Sequence, residues 1–174
     1  MWKKLQQYIF AYQLRHMPKP QAKWLEWGQI RNILLLFESD YIERNDEIKQ
    51  LRDRLLLEDK DVTIWGYVDK AEITTLVLPQ SRVVGPKSFT LFGTPREALL
   101  NDLQKREYDL LLDLTQHPSL SLQYMALYCR AQMKVGAHLI DGIHDFMIQM
   151  PPQDSPVPLF EQLKHFLNSI HTND

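Results

Sequence analysis

Apolar residues in this chain fall into short unbroken runs separated by helical stripes, the alternation expected of strands covered on both faces. Asn32–Phe37 (NILLLF) and Asp109–Leu114 (DLLLDL) are the clearest runs, and Val62–Val68 (VTIWGYV) adds a third, rich in β-branched and aromatic residues. Between the 32–37 and 62–68 runs, Ile48, Leu51 and Leu55 give a helix ending near Leu57 its inward face, with Glu47, Lys49, Arg52 and Asp53 outside. After the 109–114 run, Leu122, Met125, Ala126 and Cys129 recur at i, i+3, i+4, i+7. Met133–Val135 then supplies a strand before Gly136. That is a βαβ unit, the building block of a parallel sheet.

The flanking segments extend this pattern. Trp2, Leu5, Ile9 and Tyr12 predict an amphipathic helix ahead of the sheet, ended by Pro18 and Pro20. Asp69–Lys87, with Ile73, Val77 and Leu78, predicts a short helix or an irregular crossover. Ser88–Phe92 (SFTLF) predicts a short strand, and Thr94-Pro95-Arg96-Glu97 has the form of a capping box with Pro at the first helical position. Leu99, Leu100 and Leu103 follow on its inward side. Asp141-Gly142 suits a hairpin turn, the alternative being a parallel strand at Phe146–Met150 reached through a loop. Four prolines between 151 and 158 mark a linker, and Leu159, Phe160, Leu163, Phe166, Leu167 and Ile170 form a closing amphipathic helix.

The order of elements predicts a single-domain Rossmann-like α/β sandwich. A mainly parallel central sheet carries flanking helices, with an antiparallel edge hairpin as one option. Residues 1–30 form an N-terminal helix and extended link, and residues 31–174 the α/β domain.

Composition narrows the class. At 174 residues the chain suits one domain with a proper core. No apolar run approaches the ~18–20 residues that span a bilayer, and Met1–Leu14 mixes Lys and Gln with its apolar residues, unlike a secretory signal. A single cysteine, Cys129, excludes an intramolecular disulfide and fits a reducing, cytoplasmic setting. Its place on the apolar stripe reads as a packing thiol. The net charge of −2 hides an asymmetry, +5 over residues 1–31 and −7 over the rest. The basic opening segment, with Trp2, Tyr8, Phe10, Tyr12, Trp24 and Trp27, could touch a membrane or an acidic partner. Packing of those aromatics on the domain is the preferred reading, and no nucleic acid is expected from so acidic a remainder.

In open parallel sheets, ligands bind at the C-terminal ends of the strands. The residues there would be Glu38, Ser39 and Asp40 after the first strand, Asp69 and Lys70 after the second, and Asp113, Thr115, Gln116 and His117 after the strand at 109–114. Carboxylates, a hydroxyl and an imidazole are the groups that acid–base chemistry needs, with Asp40 and His117 the catalytic candidates. Polar residues also gather in such loops simply because they face water. Neither GxGxxG nor GxxxxGK[ST] occurs, and no glycine follows Phe37, so no nucleotide cofactor is expected. Asp113 ends its strand, where accepting a ribose hydroxyl and capping neighbouring amides are equal alternatives. His138, Asp141, His144 and Asp145 have ligating side chains but no evident second shell, so no metal is expected either.

Two resemblances arise at these residues. Across nearly the whole chain, NILLLF, FTLFGTP, YDLLLDLT, YCRAQMKVG, HDFMI and EQLKHFLNSI resemble an uncharacterised family of small bacterial proteins found mainly in Bacteroidota, to which no activity is attached. Residues 30–137 are also similar to the first, acceptor-binding half of heptosyltransferase-type GT-B glycosyltransferases. In those enzymes a Gly-Asp pair follows the first strand, and its Asp is the catalytic base. Here the stretch is FESDY, with Asp40 the equivalent and the glycine missing. The expected length leaves no second domain for a nucleotide-sugar, so this resemblance implies the fold rather than the reaction.

The reading that results is a non-catalytic cytoplasmic binding or accessory domain, its partner an unidentified small molecule or protein. One alternative is a small transferase-like enzyme using Asp40, Thr115 and His117 at the sheet edge. Another is a docking protein that uses the basic N-terminal segment. Homo-oligomerisation is compatible with each.

Overall fold

The computed structural model describes residues 1–40, 42–69 and 79–172. Its strands are β1 (Asn32–Glu38), β2 (Asp61–Tyr67), β3 (Ser81–Val84), β4 (Glu107–Asp113), β5 (Arg130–Ala137) and β6 (Phe146–Ile148). They form one sheet in the order β3-β2-β1-β4-β5-β6, with every neighbouring pair parallel. The described α-helices are α1 (Trp2–His16), α2 (Ile42–Leu57), α3 (Glu97–Lys105), α4 (Leu120–Tyr128) and α5 (Val157–Asn168).

The period of two along each strand sorts the core into two layers. Ile33, Leu35 and Phe37 of β1, with Leu110 and Leu112 of β4 and Met133 and Val135 of β5, meet Ile48, Leu51 and Leu55 of α2 and Leu159, Phe160, Leu163 and Leu167 of α5. Leu34, Leu36 and Leu111 point the other way, toward Leu99 and Leu103 of α3, Leu122, Met125 and Ala126 of α4, and Phe10 and Leu14 of α1. The predicted inward faces of α2 and α5 are therefore the buried ones, and the nearly continuous apolar runs of β1 and β4 reflect helices on both sides.

Several predicted local features differ. The buried residues of α1 are Phe10 and Leu14, whereas Trp2, Leu5 and Tyr12 of the predicted stripe are exposed. The helix meets α4 along this narrow line, with Phe10 packed edge-on against Tyr124 at 4.8 Å, and Trp2 stacks instead on Phe92. The segment 69–87, predicted as a short helix or an irregular crossover, contains β3, paired parallel to β2. Ile73, Val77 and Leu78 lie outside the described residues.

Ser88–Phe92 is not a strand. Pro86–Ser88 forms a 3-10 turn, and Phe89 makes a lone antiparallel bridge with Pro95. The capping box does not form, because the Thr94 carbonyl takes the Thr90 N–H at 2.8 Å and the two threonine hydroxyls lie 2.6 Å apart. Glu97 opens α3 without a side-chain cap.

The Asp141-Gly142 hairpin is not formed either. Residues 138–145 double back along the sheet, and the Asp145 N–H reaches the Lys134 carbonyl at 2.7 Å, so β6 runs parallel to β5. Gly142 still occupies the left-handed region at φ +96°, where an L side chain would be strained.

Candidate functional site

From β1 the chain proceeds through β2 and β3 to one side of the sheet, and from β4 through β5 and β6 to the other. The switch point thus lies between β1 and β4, where an open α/β sheet presents a crevice at its C-terminal edge. Here that crevice receives Glu38, the last residue of β1. Its carboxylate accepts the His117 N–H at 3.2 Å and, more weakly, the Gln116 N–H at 3.5 Å. It also lies 3.2 Å from the His117 imidazole and 3.4 Å from the Arg44 guanidinium. Both Glu38 and Arg44 are buried, and Arg44 additionally donates to the Glu38 carbonyl and to the Asp154 carbonyl. A carboxylate of the protein itself thus occupies these two amides and lies beside this cation.

Gln116 clips a neighbouring loop, donating from Nε2 to the Ser155 carbonyl at 2.6 Å and accepting the Gln153 N–H at 3.0 Å. Ser39 is buried and donates from Oγ to Asn45 Oδ1 at 2.8 Å. Asp113 turns inward, accepting the Thr115 N–H at 3.0 Å and lying 2.8 Å from His144 Nε2. Thr115 Oγ1 is buried with no hydrogen-bond partner among the described residues.

Asp40 stands apart. It is exposed and accepts the Asp69 N–H at 3.3 Å, whereas His117 engages Glu38. Beside it, burial pushes the Tyr67 hydroxyl above its usual range, a Ser121 contact opposes this, and the Asp69 and Asp40 charges add to it. Lys70 lies outside the described residues.

The His138, Asp141, His144 and Asp145 group disperses. His138 pairs with Asp141 at 2.9 Å, His144 with Asp113, and Asp145 accepts the Lys134 N–H at 2.7 Å. Among the described residues no group of three or more His, Cys, Asp and Glu is placed to hold a metal ion.

Arg44 has no part in the sequence expectations, and His144 enters them only as a metal-ligand candidate. Arg44 continues the α2 stripe one turn before Ile48, so its position was legible although its charge argued against burial. His144 reaches Asp113 only because position 136 is glycine. A Cβ there would sit 2.9 Å from His144 Nε2 and 3.1 Å from both the Asp113 Cβ and its carbonyl oxygen.

Six parallel strands between helices, with a crevice at the β1/β4 switch point, define a Rossmann-like α/β domain. Within that class the chain belongs to a family of unknown function, DUF6913, whose model matches residues 3–170. No curated protein matches the chain, and no solved structure does. No described helix is long and apolar enough to cross a membrane.

Proposed function

We propose that this chain is a binding or accessory domain without a catalytic cycle of its own, working in a reducing compartment such as the bacterial cytoplasm. The observation that carries the reading is Glu38 in the switch-point crevice, held by the His117 amide and imidazole and by buried Arg44. A nucleotide phosphate entering there would have to displace a buried, hydrogen-bonded carboxylate, which is costly. Acid–base chemistry would need Asp40, Thr115 and His117 around one reacting atom. Instead Asp40 bonds to the Asp69 amide and His117 to Glu38. The resemblance drawn from the sequence of residues 30–137 to the acceptor half of GT-B glycosyltransferases is read as bearing on the sheet architecture and not on transfer.

The test is a metabolite-mixture incubation read by mass spectrometry, run beside a thermal-shift screen with nucleotides and nucleotide-sugars. A ligand at 100 times its Kd stabilises a fold by ~2.7 kcal/mol, so specific binding is readily seen. The expected result is no turnover and no nucleotide-dependent shift. Turnover that disappears in Asp40→Ala or His117→Ala overturns the reading.

A further inference from the structure

Parallel strands are usually joined by a dozen or more residues carrying a helix. The connection from β5 to β6 has only residues 138–145 and no helix. Beside it, between the end of α1, the end of α4 and the outer face of β5, lies a groove of about 730 Å³. That volume is within the range of ~300–1,000 Å³ typical of small-molecule sites.

We propose that this groove binds an organic anion with an apolar body, a carboxylate or phosphate ester carrying a hydrocarbon part. The inference deepens the binding-domain reading above by naming the surface and the ligand class. Leu14, Met17, Leu127, Tyr128 and Ile143 line the groove and give the hydrocarbon its contact surface.

The charges decide the sign of the ligand. Four cations, Lys19, Lys23, Arg130 and Lys134, face two carboxylates, Glu107 and Asp145, in a chain whose net charge is −2. Arg130 and Glu107 satisfy each other at 3.0 Å. Lys134 Nζ is taken by the carbonyls of Ala126 and Leu127 at the end of α4, and Asp145 accepts the Lys134 N–H. The ammonium groups of Lys19 and Lys23 have no hydrogen bond or ion pair among the described residues, so they are left to meet an anion.

A second, independent feature belongs to the same wall. The His144 side chain is only 4% exposed, with Nε2 bonded to Asp113. Its Nδ1 is buried with no partner among the described residues, although buried polar atoms are almost always satisfied.

The full-length chain is tested by thermal shift with decanoate, decyl phosphate, decanol and inorganic phosphate, all below micellar concentrations. Either decyl anion should raise the melting temperature by roughly 5–10 °C at 100 times its Kd. Which anion acts more strongly identifies the headgroup. The double variant Lys19→Glu/Lys23→Glu should lose that rise while keeping the wild-type circular dichroism and unliganded melting temperature. The proposal falls if neither anion stabilises, if decanol stabilises equally, or if the double variant responds undiminished. Failure of the binding-domain reading looks different. Turnover sensitive to Asp40→Ala would overturn that reading, while charge-dependent stabilisation would still uphold the groove.

Discussion

Replacing Glu38 by Ala removes the carboxylate that fills the switch-point crevice, and its cost follows from what stays behind. Arg44 is left buried without that countercharge, and breaking a buried ion pair from one side typically costs ~3–5 kcal/mol. Two details place this variant at the lower end. Arg44 keeps its hydrogen bonds to the carbonyls of residue 38 and Asp154, which do not depend on the side chain. The His117 side chain is 47% exposed, so water can reach the neighbouring amide. We expect a loss of ~3 kcal/mol, measured by urea unfolding with an unchanged m-value. That corresponds to a melting temperature lower by roughly 6–12 °C. The vacated amides and Arg44 should also acquire affinity for inorganic phosphate, seen as stabilisation of Glu38→Ala but not of the wild type. A loss below ~1 kcal/mol without any phosphate response would refute the idea that Glu38 stands in for a ligand anion.

Four other outcomes are expected. Tyr124→Phe should be neutral or stabilising in chemical denaturation, since its hydroxyl is buried without a partner among the described residues; a loss above ~1 kcal/mol would reveal a missed bond. Gly136→Ala should cost ~1–3 kcal/mol through the clash with His144 and Asp113, and an unchanged melting temperature would contradict that packing. Burial raises the Cys129 thiol above its ordinary range, so an aromatic disulfide reagent should label it slowly at neutral pH until the protein unfolds.

The fourth concerns pH. Burial raises the Glu58 carboxyl, but hydrogen bonds from Lys164 and Trp27 outweigh it and hold the group below its usual 4.5. A depressed folded value means that this stabilisation is fully present above the unfolded value and is lost as pH falls through the folded one. Glu58→Gln should therefore flatten the acid limb of the stability profile, and an identical limb would count against the assignment.

Period and composition were enough for the architecture wherever an element faced the core squarely. The runs of β1 and β4 are apolar on both faces because both faces are covered, and the stripes of α2 and α5 are broad because whole helices lie on the sheet. The edge residues were legible for a related reason: strands in register deliver their last residues to one edge, so Glu38 and Asp113 had to arrive near each other.

Local pattern failed where tertiary partners chose among comparable options. The α1 sequence carries apolar residues on more than one face, and only its position against α4 selects Phe10 and Leu14 over Trp2 and Tyr12. Thr94 could cap a helix or close a turn, and the Thr90 partner decided for the turn. Asp141-Gly142 could turn a hairpin, but the Asp145–Lys134 bonds carry the chain into a parallel strand. The site divides in the same way. The strand pattern placed Glu38 at the edge, but its pairing with Arg44 and His117 joins residues from β1, α2 and the loop after β4, and the Asp113–His144 pair needs the space that Gly136 leaves. Periodicity records which way a side chain faces within its own element; which charge it meets depends on how the elements pack.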